Sequence, residues 1–379
     1  MVDQGVHLRA CPADLKVAHD FHHRLYPVWC SHIVLSAKRA RIKTVAIPER
    51  EMPTGSLYAR MQAHGTLTES PRDIANAVYA LPSTLHWMRG LAILCEAQAV
   101  SFQTARAFYQ KVQRKPLPDR QLNSIYEQLL LSLHHIAALD ALALAPNKAD
   151  VSRVGIVAWY YGVYGAASAM IAAADGSFPE THASTARQWD RQFAVPGLVL
   201  PPFADRVGRL CSADVEEALR VPRGRGKHPL TLQPGSVDEA WGCIAEYLSG
   251  TASWEQWNVE QAVRGASAFR DLGVENFRTK AARELRDEAL GKRSICFLHQ
   301  ASRYRGKANY RDAIFLAYGK SVPKSVEGFV DDLRAVLRAF SAMAAGYCAA
   351  RVGRDEWDWF VADIASRRAI SLSPEDIWR

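Results

Sequence analysis

Four side chains recur at every fourth position near the end of the chain: His299, Arg303, Lys307 and Arg311. On a helix that spacing forms a single ridge, and like charges four apart repel one another. Phosphate along the ridge would relieve the repulsion, and so would carboxylates of the same chain. Arg305 lies beside the ridge, and Tyr304 and Tyr310 are interleaved with it, where their rings could stack on bases. The surrounding segment Arg278–Lys320 holds eleven cations and four acids, so it carries +7 of the chain's formal +8. Two readings follow. One is contact with RNA or another phosphate-rich ligand, gripped by Arg303, Arg305, Lys307, Tyr310 and Arg311. The other is an internal salt-bridge network with Glu284, Asp287, Glu288 or Asp312.

A second cationic stretch, Arg223-Gly-Arg-Gly-Lys-His228, is bracketed by Pro222 and Pro229. Glycines let backbone amides approach a phosphate while Arg223, Arg225 and Lys227 neutralise it. A flexible, solvated basic loop is the alternative. His19, His22 and His23 have ligand spacing but lack a glutamate in a His-Glu-x-x-His pattern, and read as a surface cluster. His134-His135 sits in an apolar helical stretch and reads as core. Glu356-Trp-Asp-Trp-Phe360 reads as packing of a C-terminal helix or as an interaction patch. The chain contains no phosphate loop, dinucleotide-binding glycine fingerprint or Gly-x-Ser-x-Gly elbow. Seven scattered cysteines without a Cys-x-x-Cys pair argue against a disulfide framework or structural zinc and fit a reducing cytoplasm. No metal or cofactor is expected.

Three separated segments carry a family resemblance. Trp159-Tyr160-Tyr161 with Tyr164, Ala166 and Ala167 comes first, then Thr181-His182-Ala183-Ser184, and much later Arg305-Gly-Lys-Ala308-Asn309-Tyr310. This order resembles HEPN domains, the all-α nucleotide-binding or RNA-cleaving bundles of prokaryotic toxin and defence systems, with Asn309 where the family usually has Asp. The resemblance implies an RNA-binding protein that acts as a homodimer or as a subunit of a complex. Ribonucleases of the family carry Arg, four to six residues, then His, and Arg293-Ser-Ile-Cys-Phe-Leu-His299 has that form. It implies a metal-independent endoribonuclease, with Arg293 on the scissile phosphate and His299 as general acid or base. A non-catalytic nucleic-acid- or protein-binding subunit is the alternative.

Helices must position these residues. The chain has 379 residues, 49% of them hydrophobic and 23% charged, which is globular composition with room for a large core. Apolar residues at helical spacing predict an all-α fold. The predicted helices cover Leu85–Val112, Asp119–Ala145, Val154–Ala174, Ala183–Phe193, Ser212–Arg220, Val237–Leu248 and Ser253–Ala268. They resume at Phe277–Leu290, Ser294–Tyr304, Asn309–Tyr318, Val326–Arg351 and Asp355–Arg368. Ser70-Pro71 and Ser373-Pro374 read as helix starts. Strand-like alternation is confined to Ile42–Ile47 and Gly197–Leu200. The organisation expected is a mainly helical region over 1–117, a HEPN-like bundle over 118–320 with a proline-rich insertion at 175–235, and C-terminal helices over 321–379. Val154–Ala174 is long enough to cross a membrane but has no Leu and three central tyrosines, so it is expected inside the protein.

Overall fold

Helix α5, Lys148–Asp175, is the axis of the computed structural model. The structure describes residues 57–64, 80–310, 316–318 and 322–379. His19, His22, His23, the candidate strand Ile42–Ile47, the helix start at Ser70, Arg311 and Lys320 lie outside them. The fold is all-α: 73% of the described residues are helical, with essentially no strands among them. Within Thr54–Arg379, one compact unit, α1 spans Leu57–His64, α2 Ala80–Ala97, α3 Phe102–Phe108 and α4 Asp119–Leu142. After α5 come α6, His182–Trp189, prolonged by a π-helical turn to Ala194, α7, Ser212–Arg225, and α8, Val237–Gly265. Then follow α9, Ser267–Arg270, α10, Lys280–Gly291, α11, Phe297–Tyr310, and α12, Val322–Ser325. The chain closes with α13, Phe329–Val352, α14, Arg354–Arg367, and α15, Glu375–Trp378.

The small residues of α5 explain its place. A Cβ on Gly162 would stand 2.5 Å from Leu337 of α13, and one on Gly165 would stand 3.0 Å from the Gln128 carbonyl of α4. Both neighbours therefore run tightly along α5, whose middle residues are almost all buried. By length and composition α5 alone among the described helices could cross a membrane, yet protein covers most of it. One apolar core gathers α2–α6, α8, α11 and α13–α15, so helices before 118 and after 320 pack on the same centre. Its middle is aromatic. Trp87 stacks on Tyr247 at 4.1 Å, and Trp159, Phe203, Phe297, Tyr304 and Phe340 close around them. A smaller cluster, with Val207, Leu219, Leu248 and Leu290, joins α7, α8 and α10.

Several boundaries differ from expectation, each for a local reason. Leu85–Val112 is two helices, because Ala99 turns to φ 47° and the Ser101/Thr104 capping box starts α3 afresh. The two helices expected over Val237–Ala268 are one through Gly265, with the buried Thr251 hydroxyl bonded back to the Tyr247 carbonyl. α7 continues through Pro222, so Arg223 and Arg225 form its last turn rather than a loop. α11 runs unbroken through Gly306, which makes the four-residue ridge real as far as Lys307. Gly197–Leu200 is not a strand; an isolated bridge between Val207 and Ile295 is the β pairing among the described residues.

Candidate ligand site at the tyrosine, histidine and arginine cluster

The three segments with the family resemblance meet in space. Tyr160, Tyr161 and Tyr164 line one face of α5. His182 is the first residue of α6, held there by Thr181, whose side chain caps Ser184 while Ser184 caps back. The His182 ring packs against all three tyrosines, with centroids 5.2, 5.8 and 4.8 Å away. Arg305 reaches in from α11. Its guanidinium lies 4.8 Å over the Tyr160 ring, and Nη1 donates to the Tyr161 hydroxyl at 3.3 Å. His135 of α4 stacks 6.1 Å from Tyr161, and so forms a wall of this cluster rather than a core residue, while His134 is exposed.

The electrostatics of the cluster are unbalanced. Arg305 has no carboxylate partner among the described residues, and its buried Nε has no hydrogen-bond acceptor there. The buried Nδ1 of His182 also lacks a partner among the described residues. Burial, and then the Arg305 charge, push the His182 pKa below its usual value, so the ring is neutral at pH 7. Burial likewise holds Tyr160 protonated, at about 12, and lowers His135. The arrangement offers a cation, a neutral imidazole and half-exposed phenols, with donors to spare. Such a set suits an anionic group next to a ring that can stack.

The other cations of the basic segment are engaged differently. On α10 and at its C-cap, Lys280, Arg286 and Lys292 pair with Glu284, Asp287 and Glu288. On α11, Arg303 donates to Thr251 at 2.9 Å and lies over Trp254, and Lys307 reaches Ser83 at 3.2 Å. These contacts tie α11 to α8 and α2. Tyr304, which the sequence offered for base stacking, is fully buried and donates to the Thr84 carbonyl at 2.8 Å, so it is core. Tyr310 is the last residue of α11. In the second basic stretch, Arg223 bonds Glu216 and Ser249. Arg225 pairs with Asp205 at 2.5 Å and lies 4.1 Å over Trp241. Lys227 is exposed. This stretch is built into the fold: a Cβ on Gly226 would overlap the Asp238 carbonyl, and one on Gly242 would overlap the Lys227–His228 backbone.

Arg293 and His299 flank the start of α11. Arg293 is exposed and precedes the helix by four residues. His299 lies in the first turn, where Nδ1 accepts from the Cys296 amide at 3.2 Å and sits 3.2 Å from the Cys296 thiol. Burial lowers His299 to about 4, opposed by Asp190 and assisted by Arg187, Arg293 and Arg206. Cys296 is fully buried, and its thiol is pushed up to about 12. Asp190, at the π-helical turn, anchors this junction. It takes Arg206 in a fork at 2.9 and 3.0 Å and accepts from Ser294 at 2.7 Å.

Among the described residues no group of three His, Cys, Asp or Glu side chains could hold a metal ion. The sequence reading placed Tyr160, Tyr161, Tyr164 and His182 in a motif without assigning them to the site. Their signal was the order of three segments spread over some 150 positions, and only the fold shows that these converge. No family model, curated protein or solved structure matches the chain.

Proposed function

We propose that this chain is a HEPN-like RNA-binding protein that holds a phosphate at Arg305 and His182, with an adjacent base against Tyr161 or Tyr164. The observation that carries this reading is the pair of unspent polar atoms, Arg305 Nε and His182 Nδ1, in a half-buried aromatic cluster. A guanidinium without a carboxylate partner costs free energy when partly buried, and a bound anion would repay that cost. The scattered cysteines add a cytoplasmic setting, and the family resemblance adds a toxin or defence role and a homodimer or a larger complex.

Binding of a short single-stranded RNA, followed by fluorescence anisotropy across a salt series, tests the reading. One phosphate contact predicts a log–log salt slope near −0.7, and Arg305→Gln should flatten it towards zero. Salt-independent binding, or an unchanged slope in Arg305→Gln, would overturn it.

A cleavage reading through Arg293 and His299 draws on the three guanidinium groups whose fields act on His299. In it, Nδ1 of neutral His299 gives up the Cys296 amide to take the 2′-hydroxyl proton, the 2′-oxygen bonds phosphorus, and the 5′-oxygen leaves with a proton from solvent. With His299 near 4, cleavage should rise up to about pH 5 and then stay level to pH 7. Equal cleavage by wild type, Arg293→Ala and His299→Ala would exclude the pair.

A further inference from the structure

At the far end of the core, where α13 hands over to α14, a cleft of about 280 Å³ opens. That is near the small end of ligand-pocket sizes. Its apolar wall includes Val112 and the buried Trp357, and Gln110 adds an amide at the rim. Arg106 and Arg354 line it from opposite helices, α3 and α14. A third guanidinium, that of Arg114, lies against Gly353, whose φ of 95° and lack of a side chain allow the approach. Gly353 also leaves α14 without a side-chain cap, and Asp355 and Glu356 stand in its first turn.

The charges around this cleft are lopsided. Neither Arg106 nor Arg114 has a carboxylate partner among the described residues, and Arg354 shares Asp358 at 3.5 Å, both largely exposed. Arg106 and Arg354 therefore line the cleft with one acid, Asp358, beside an apolar wall, and Arg114 lies against its Gly353 edge. That is more cationic capacity than one carboxylate ligand would use, and it matches a dianionic phosphate carried on an apolar body.

We propose that the cleft between α3, α13 and α14 is a second binding site, for a small organic phosphate monoester. The phosphate lies among Arg106, Arg354 and the start of α14, and the apolar body rests along Val112 and Trp357. The site is separate from the Arg305 cluster and does not depend on its function.

Calorimetric titration of the full chain with phenyl phosphate tests this, with phenylacetate and inorganic phosphate as comparison probes. Phenyl phosphate should bind at one site at least tenfold more tightly than either. Arg106→Ala and Arg354→Ala, both exposed positions, should each weaken it about tenfold. Arg305→Gln should leave it unchanged. The proposal falls if inorganic phosphate binds equally well, which would mean an adventitious ion only, or if phenylacetate matches phenyl phosphate. It also falls if the double arginine variant keeps wild-type affinity, if Arg305→Gln abolishes binding, or if phenyl phosphate does not bind at millimolar concentration.

Discussion

Arg351 offers a sharp test of how the core is held. It lies in the last turn of α13, 9% exposed, with no acidic partner among the described residues. Its guanidinium instead donates to three main-chain carbonyls: Ala173 at 3.0 Å, Ala174 at 3.0 Å and Gln113 at 2.8 Å. Two of these acceptors belong to the final turn of α5, where carbonyls lack helical donors and the helix dipole favours a cation. Arg351→Met keeps the apolar stem and removes all three donors. Hydrogen bonds from a charged group contribute about 1.5–3 kcal/mol each, so the gross loss is about 4.5–9 kcal/mol. Water entering the gap and local relaxation recover part of it, leaving about 4 kcal/mol. The control is Arg367→Met on α14, which removes an ion pair to Asp363 from an arginine side chain that is 80% exposed. That should cost no more than about 0.5 kcal/mol. Guanidinium-induced unfolding, followed by circular dichroism at 222 nm, would measure both. If Arg351→Met unfolds within about 1 kcal/mol of the Arg367 control, the capping argument is refuted.

Other expectations follow from the same contacts. Gly242→Ala would force a Cβ into the His228 backbone, and should cost about 2–4 kcal/mol in chemical unfolding; a stable variant would show that the 226–228 stretch is free to move. Asp332, bonded to Arg89, is raised to about 6, chiefly by burial. Between about pH 4 and 6 the folded chain holds a proton the unfolded chain has lost, so stability should fall by about 2–3 kcal/mol as pH rises through that window. Asp332→Asn should flatten this part of a stability–pH curve. A phosphate beside Arg305 would offset the cause that, after burial, lowers His182, so bound His182 should titrate higher than free. RNA affinity should therefore increase as pH falls through the titration of bound His182, and His182→Gln should remove that increase in anisotropy titrations.

The helical class was readable because apolar spacing dominates α4, α5 and α13. The break at Ala99 and the continuity of α8 were less readable. Each depends on one hydroxyl, Ser101 or Thr251, choosing its backbone partner in three dimensions. Charge was the more misleading guide. The alternation Arg303, Arg305, Lys307 looked like one surface, yet the helix sends Arg305 to α5 and the other two to α8 and α2. Tyr304 shares a basic stretch with them and points into the aromatic core. Arg223 and Arg225 looked like a loop because glycines separate them, but Glu216, Asp205 and Trp241 absorb both.

Photocrosslinking of a 4-thiouridine RNA to the full chain, with mapping of tryptic fragments, addresses the binding claim most directly. No Lys or Arg lies between Arg153 and Arg187, so Tyr161, Tyr164 and His182 fall in one tryptic fragment. The account predicts that this fragment carries the dominant crosslink and that Arg305→Gln abolishes it. Crosslinks confined to other fragments, or unchanged in Arg305→Gln, would contradict it.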